Sequence, residues 1–274
     1  MLDHPADQPN PAPVHCVSFG VPFRLSTDDP SLLPAMINVL PYQTEISQDE
    51  IPEAEPFHIA TPHEGCAFRL RSHGAVTLEH NDLPPILERL GQDLMVHVAN
   101  HAPDRVFVHA GVVGWHGRAI VIPGRSFAGK TTLVAELVKA GATYYSDEYA
   151  VLDDDGRVHP YARELQMRQP SNPEQRSVPI ETLNGIAGVL PLPVVQVIFT
   201  EYHPGAAWKP EPVSPGMAVL EMLRHTIPIQ RTPARAMATL TRMMRDAKAW
   251  QSQRGEAQAA VAALLESALQ ESRR

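Results

Sequence analysis

Gly124-Arg125-Ser126-Phe127-Ala128-Gly129-Lys130-Thr131 is the stretch on which the reading of this chain turns. It satisfies G-x-x-x-x-G-K-[ST], a glycine-framed loop whose backbone N–H groups cradle phosphates. Ala119-Ile120-Val121-Ile122 before it is a short apolar run, rich in β-branched residues, that Pro123 ends. After it, Lys130 to Ala140 predicts a helix, with Leu133/Leu137 and Val134/Val138 at i,i+4 and Gly141 where a left-handed cap belongs. Strand, loop and helix in this order aim N–H groups and the positive helix end at phosphate oxygens. The loop therefore reads as a nucleotide site. Lys130 is expected at the β- and γ-phosphates and Thr131 at Mg²⁺, with Thr132 near enough to reach another phosphate.

Composition sets the outer bounds. At 274 residues the chain suits one large domain or two small ones, and 43% hydrophobic residues suffice for a sizeable core. No apolar run approaches membrane-spanning length, so no membrane partner is expected. A net charge of −8 argues against a dedicated nucleic-acid binder. The opening Met-Leu-Asp-His-Pro lacks the basic and apolar regions of a secretory signal, and Cys16 and Cys66 are too few for a disulfide framework. A reduced, cytoplasmic chain is the expectation, and homo-oligomerisation is compatible with it.

Outward from the loop, residues 1–13 read as a flexible arm and 14–100 as an N-terminal α+β lobe. In that lobe Val17, Phe19, Val21, Phe23 and Leu25 alternate as in one strand, and Asp29-Pro30 opens a helix through Leu40. Cys66 to Glu79 reads as a hairpin turning at Ser72-His73-Gly74, and Pro85 to Asn100 as a helix. Residues 101–212 form the nucleotide-binding core. Thr143 to Glu148 is its next strand, continuing through Val151-Leu152 to an Asp153-Asp154-Asp155-Gly156 turn, and Leu192 to Thr200 is a buried strand. Residues 213–274 read as a C-terminal helical segment packed on the core, with helices opening at Ser214-Pro215 and Thr232-Pro233 and a last one after Gly255.

From His109 through the loop to Ser146-Asp147-Glu148-Tyr149 the chain resembles the C-terminal catalytic domain of HPr kinase/phosphorylase. That family carries His-Gly, a hairpin, the phosphate loop, a helix ending in Gly and an Asp-Asp pair. The counterparts here are His109-Ala110, residues 124–131, Gly141 and Asp147-Glu148. The likeness covers residues 105–155 well and the remainder in layout alone. It implies an α/β fold with a P-loop kinase core similar to HPr kinase and phosphoenolpyruvate carboxykinase, an N-terminal α+β lobe and C-terminal helices. It also implies transfer of phosphate from Mg·ATP to a seryl hydroxyl of a protein or peptide, with His109 as a helper that orients or polarises the acid. Three departures mark a divergent member. Arg125, Phe127 and Ala128 stand where the family prefers Asp, Gly and a small residue; Glu148 replaces the second Asp; and the segment linked to phosphorylase activity is reduced to Asn184-Gly185-Ile186-Ala187-Gly188.

Asp147 lies beyond the loop helix at a strand end, where an acid can hold Mg²⁺ or take the proton of an attacking hydroxyl, and it is the base expected for the transfer. Glu148 would face the opposite side of a regular strand. His97 and His101 share a helix face but lack a third ligand, so packing explains them better than a metal. The acidic run at 153–155 reads as a turn, and Arg163 and Arg168 as solvated charge that could reach phosphate. A small-molecule kinase and a nucleotide-sensing partner protein without transfer are the rival readings; a motor ATPase lacks its hydrophobic run ending in Asp-Glu.

Overall fold

The computed structural model describes residues 12–62, 67–125, 128–169 and 172–272. Most of the N-terminal arm, Cys66, and Ser126 and Phe127 of the loop lie outside the described residues. The chain divides into two compact units, Met1–Pro103 and Asp104–Arg274.

Among the described residues the first unit has a six-stranded sheet and two α-helices. Its strands are β1 (Val14–Ser18), β2 (Val21–Thr27), β3 (Glu45–Ser47), β4 (Glu55–Ala60), β5 (Phe68–Ser72) and β6 (Ala75–His80), in the order β3-β1-β2-β4-β5-β6. The helices are α1 (Leu33–Ile37) and α2 (Leu83–His101). The single alternating strand expected over 17–25 is instead a hairpin, β1–β2, turning at Phe19-Gly20 with φ of 47° and 76°. A two-residue turn pairs Ser18 with Val21, so the inward residues switch from even numbers (Cys16, Ser18) to odd ones (Val21, Phe23, Leu25). Unbroken alternation in the sequence hid that switch. The expected helix over 30–40 is shorter, a 3₁₀ turn at Pro30–Leu32 capped by Asp29 and then α1. The β5–β6 hairpin turns at His73-Gly74, close to the expected place. His97 and His101 stack with ring centroids 4.4 Å apart, and among the described residues no group of three or more His, Cys, Asp or Glu side chains is placed to hold a metal ion.

The second unit is mixed α/β. Its elements are β7 (Val106–Trp115), β8 (Arg118–Pro123), α3 (Lys130–Lys139), β9 (Thr143–Ser146), β10 (Tyr149–Leu152), β11 (Arg157–His159), β12 (Leu165–Gln169) and β13 (Asn172–Val178). Then follow β14 (Leu192–Tyr202), β15 (Glu211–Val213), α4 (Pro215–Leu223), α5 (Pro233–Met243), β16 (Lys248–Arg254) and α6 (Ala257–Ser272). The main sheet runs β11-β10-β7-β8-β14-β16-β15, with β9 also on β7, and a further β11–β14 pairing links β10, β7, β8, β14 and β11 into a closed ring of pairings. Alternation along β8 explains the layering: Ala119 and Val121 pack with α4 and α5, while Ile120 and Ile122 pack with α3 and α6. No described helix is long and apolar enough to cross a membrane.

Two expectations change here. The segment 213–274 is not helical throughout, because β16 inserts between β14 and β15, parallel to the former. The helix opening at Thr232-Pro233 ends at Met243, and Lys248–Arg254 is a strand that only Ala249 and Trp250 mark as apolar. Thr143 to Leu152 is also not one strand. Ser146 Oγ accepts the N–H groups of Glu148 and Tyr149, at 3.0 and 2.9 Å, and bends the chain between β9 and β10.

Gly111 on β7 sets how closely α3 can approach. A Cβ there would sit 2.6 Å from Val134 Cγ2. Gly111→Ala should destabilise the protein by about 1–3 kcal/mol through overpacking, read as a lower urea midpoint at unchanged slope. An unaltered midpoint would show that the strand–helix spacing is slack.

Candidate phosphate-binding site

The glycine loop leaves β8 at Pro123 and enters α3 at Lys130. β14 and β16 run parallel to β8, and β9 shares their direction because β7 is antiparallel to both β8 and β9. Their C-terminal ends therefore gather at one end of the sheet, with Asp147 after β9, Tyr202 closing β14 and Arg254 closing β16. Gly129 is the N-cap of α3 at φ 78°, a left-handed conformation that disfavours side chains, and no side chain caps the helix. The positive end of α3 is thus left to act on whatever lies in the loop.

Lys130 is 7% exposed, and its Nζ donates to the carbonyls of Gly124 (2.9 Å) and Arg125 (2.8 Å). Burial lowers its pKa to about 8, while the fields of Asp147 and Glu148 act in the other direction. Thr131 Oγ1 donates to Asp147 Oδ2 at 2.9 Å, and Tyr144 OH donates to Asp147 Oδ1 at 2.9 Å. The Gln166 N–H reaches the same carboxylate. Burial raises the pKa of Asp147, and these three donors oppose the rise. Glu148 shares the bend and is also raised by burial, with Arg163 lowering it and Asp147 raising it. Among the described residues no hydrogen bond reaches the Glu148 carboxylate. The bend brings both acids within the field of Lys130, in place of the opposite faces expected of a regular strand.

His109 lies on β7 opposite Tyr149 of β10, and its backbone carbonyl accepts the Gly124 N–H at 3.3 Å. Burial first, then Lys130 and His225, lower its pKa to about 4. No hydrogen bond joins its ring to either acid among the described residues. In the unfolded chain this imidazole takes its proton near pH 6.5, so the unfolded state binds more protons between pH 6.5 and 4 and stability falls as pH drops through that window. His109→Gln should flatten that part of the stability–pH curve relative to wild type; parallel curves would mean the ring protonates freely when folded.

Of the remaining expected residues, Thr132 is exposed on the first turn of α3 and Ala128 is only partly buried. The 184–188 segment pairs with β9: Tyr144 N–H donates to Ile186 O at 2.8 Å, and Gly188 N–H to Tyr144 O at 2.7 Å. The acidic turn is held by protein groups, Arg235 contacting both Asp154 oxygens at 3.0 and 2.9 Å. The Arg168 side chain lies outside the described residues.

Sequence reading missed Arg254. It is 2% exposed; its guanidinium donates to Gly129 O (2.7 Å) and Gly255 O (3.1 Å), and its Nε has no partner among the described residues. Among the described residues, Lys130 and Arg254 are thus two buried cations whose hydrogen-bond acceptors are neutral carbonyls, beside an uncapped helix end. Asp147 and Glu148 act on Lys130, and Glu256 on Arg254, through their fields alone, so both cations keep donors for an anion at this corner of the molecule. The Thr131 hydroxyl and Asp147 carboxylate add the hard oxygen donors that Mg²⁺ prefers beside phosphates. A Mg·nucleotide fits this donor set. No protein-family model matches the chain, and no curated protein matches it.

Proposed function

We propose that this chain is a phosphotransferase that moves the γ-phosphoryl group of Mg·ATP to a hydroxyl, a seryl side chain of a protein or peptide being the acceptor the resemblance implies. The observation that carries this reading is the hydrogen-bonded chain Tyr144–Asp147–Thr131 beside buried Lys130, at the mouth of an uncapped helix. Mg²⁺, when bound, neutralises charge on the phosphates, and Thr131 and Asp147 are the residues to hold it. Lys130 and the N–H groups of α3 meet phosphate oxygens, and Arg254 fixes the Gly129 carbonyl so that the loop keeps its shape.

The two acids divide the remaining work. Both oxygens of Asp147 already accept hydrogen bonds, from Thr131 and Tyr144, which favours the metal half of its expected role. Among the described residues Glu148 has no such partner, and it stands in the field of Lys130, so it is the group to receive the acceptor proton. In the balanced step the acceptor oxygen bonds to the γ-phosphorus, the bond to ADP breaks, and the hydroxyl proton passes to Glu148. Neutral His109 lines the approach as a hydrogen-bonding group and not as a charge.

Calorimetry gives the first test. ATP should bind tightly with Mg²⁺ present, lose affinity on chelation, and not be displaced by adenosine monophosphate. Binding that ignores both Mg²⁺ and the number of phosphates would remove the loop from the account. The rival reading as a nucleotide sensor predicts the same binding with no transfer to any hydroxyl.

A further inference from the structure

Beside the loop lies a cavity of about 320 Å³ lined by His109, Arg125, Arg224, His225, Thr226 and Ile227. Its frame is fixed. His109 N–H donates to His225 O at 2.7 Å and Val108 bridges to Thr226, so the chain leaving α4 is tied to β7. One wall is therefore His109, whose ring feels both Lys130 and His225. Arg224 and, from the glycine loop, Arg125 also line it.

Charge identifies what such a cavity takes. Arg224 pairs with Glu221 at 2.8 Å, but the Arg224 side chain is 72% exposed and an exposed pair of this kind contributes little. Arg125 is exposed and forms no ion pair among the described residues. Glu221, which also approaches His225 Nε2 at 3.7 Å, is the acid facing this cluster. The C-terminal end of α4 would repel an anion, yet its last carbonyls are already taken: Thr226 Oγ1 and His225 N–H donate to Met222 O, and Thr226 N–H to Leu223 O. That residual dipole effect is small against two guanidinium groups.

We propose that this cavity is the acceptor subsite of the phosphotransferase read above, and that it takes an acceptor whose hydroxyl lies beside a carboxylate. Arg224 and Arg125 hold the carboxylate, while His109 and His225 hydrogen-bond the acceptor near the hydroxyl. The inference rests on the phosphotransferase reading and adds the chemical class of the acceptor. A free hydroxy acid and an acidic serine peptide both present this chemistry.

The test uses the full chain saturated with Mg²⁺ and a non-hydrolysable ATP analogue. Two matched pairs of probes are titrated: glycerate against glyceramide, and a short serine peptide with a neighbouring Asp against the same peptide with Asn. The anionic member of one pair should bind roughly 10-fold tighter or more, alongside the nucleotide. Which pair shows the preference distinguishes a small acceptor from a peptide. Arg224→Gln should abolish that preference and leave nucleotide affinity within about 2-fold, whereas Arg224→Lys should keep part of it. Equal binding of charged and neutral probes, no binding of either, or displacement of the nucleotide by the anion would each overturn the assignment. Transfer of labelled phosphate from ATP with no charge preference would leave the phosphotransferase reading standing and sink this one. Arg224-dependent carboxylate binding without any transfer would sink the phosphotransferase reading, and the cavity would be an anion site that is not an acceptor subsite.

Discussion

Glu148→Gln should leave Mg·ATP affinity within a few-fold of wild type and slow phosphoryl transfer by roughly 10²–10⁴-fold, the usual contribution of a general base. The amide keeps the shape of the side chain and still hydrogen-bonds, but it cannot accept the acceptor proton near neutral pH. Asp147→Asn should behave differently. Its carboxylate accepts from Thr131 and Tyr144, so the amide removes a charge from the metal position and must turn one of its N–H groups toward a donor. Mg²⁺-dependent nucleotide affinity and turnover should then fall together. Measuring binding and single-turnover transfer on both variants separates the roles. If Glu148→Gln transfers at the wild-type rate while Asp147→Asn binds normally and transfers nothing, the assignments are reversed.

Lys130→Ala should weaken Mg·ATP binding by roughly 10–100-fold, the loss expected when a charge-assisted hydrogen bond to phosphate is removed. The same substitution also deletes a cation that is 7% exposed and, among the described residues, hydrogen-bonded to two carbonyls in the field of Asp147 and Glu148. Relief from burying the ammonium is offset by the lost attraction to Asp147 and Glu148, so the nucleotide-free protein should change little in stability. Calorimetry and urea unfolding on one preparation check both halves. Weakened binding accompanied by a collapse in stability would mean that Lys130 is structural and that the lost affinity reports a damaged loop.

The strand, glycine-framed loop and helix are legible in the sequence because their signals are local. A β-branched run, a glycine frame and an i,i+4 apolar stripe each depend on neighbours within a few residues, and β8, the loop and α3 appear where those signals lie. The position of Asp147 was legible for the same reason. What escaped depends on partners far along the chain. β16 is polar on much of its length, and its identity as a strand comes from parallel pairing with β14, about fifty residues earlier. Arg254 has no motif of its own and becomes part of the site because β16 delivers it to Gly129. The bend at Asp147-Glu148 rests on a single Ser146 hydroxyl, which a pattern of alternating residues cannot reveal. The parity switch at Phe19-Gly20 was hidden by apolar residues that alternate straight through the turn.

The most direct measurement of the central claim is transfer of label from [γ-³²P]ATP to a hydroxyl acceptor, followed for wild type, Lys130→Ala and Glu148→Gln under single-turnover conditions with Mg²⁺. The phosphotransferase account predicts an acid-stable phosphate ester formed by wild type, with label stoichiometric with ADP, and little or none formed by either variant. Tight Mg·ATP binding by wild type with no label in glycerate, serine peptides or any other hydroxyl offered would contradict it and make the chain a nucleotide sensor.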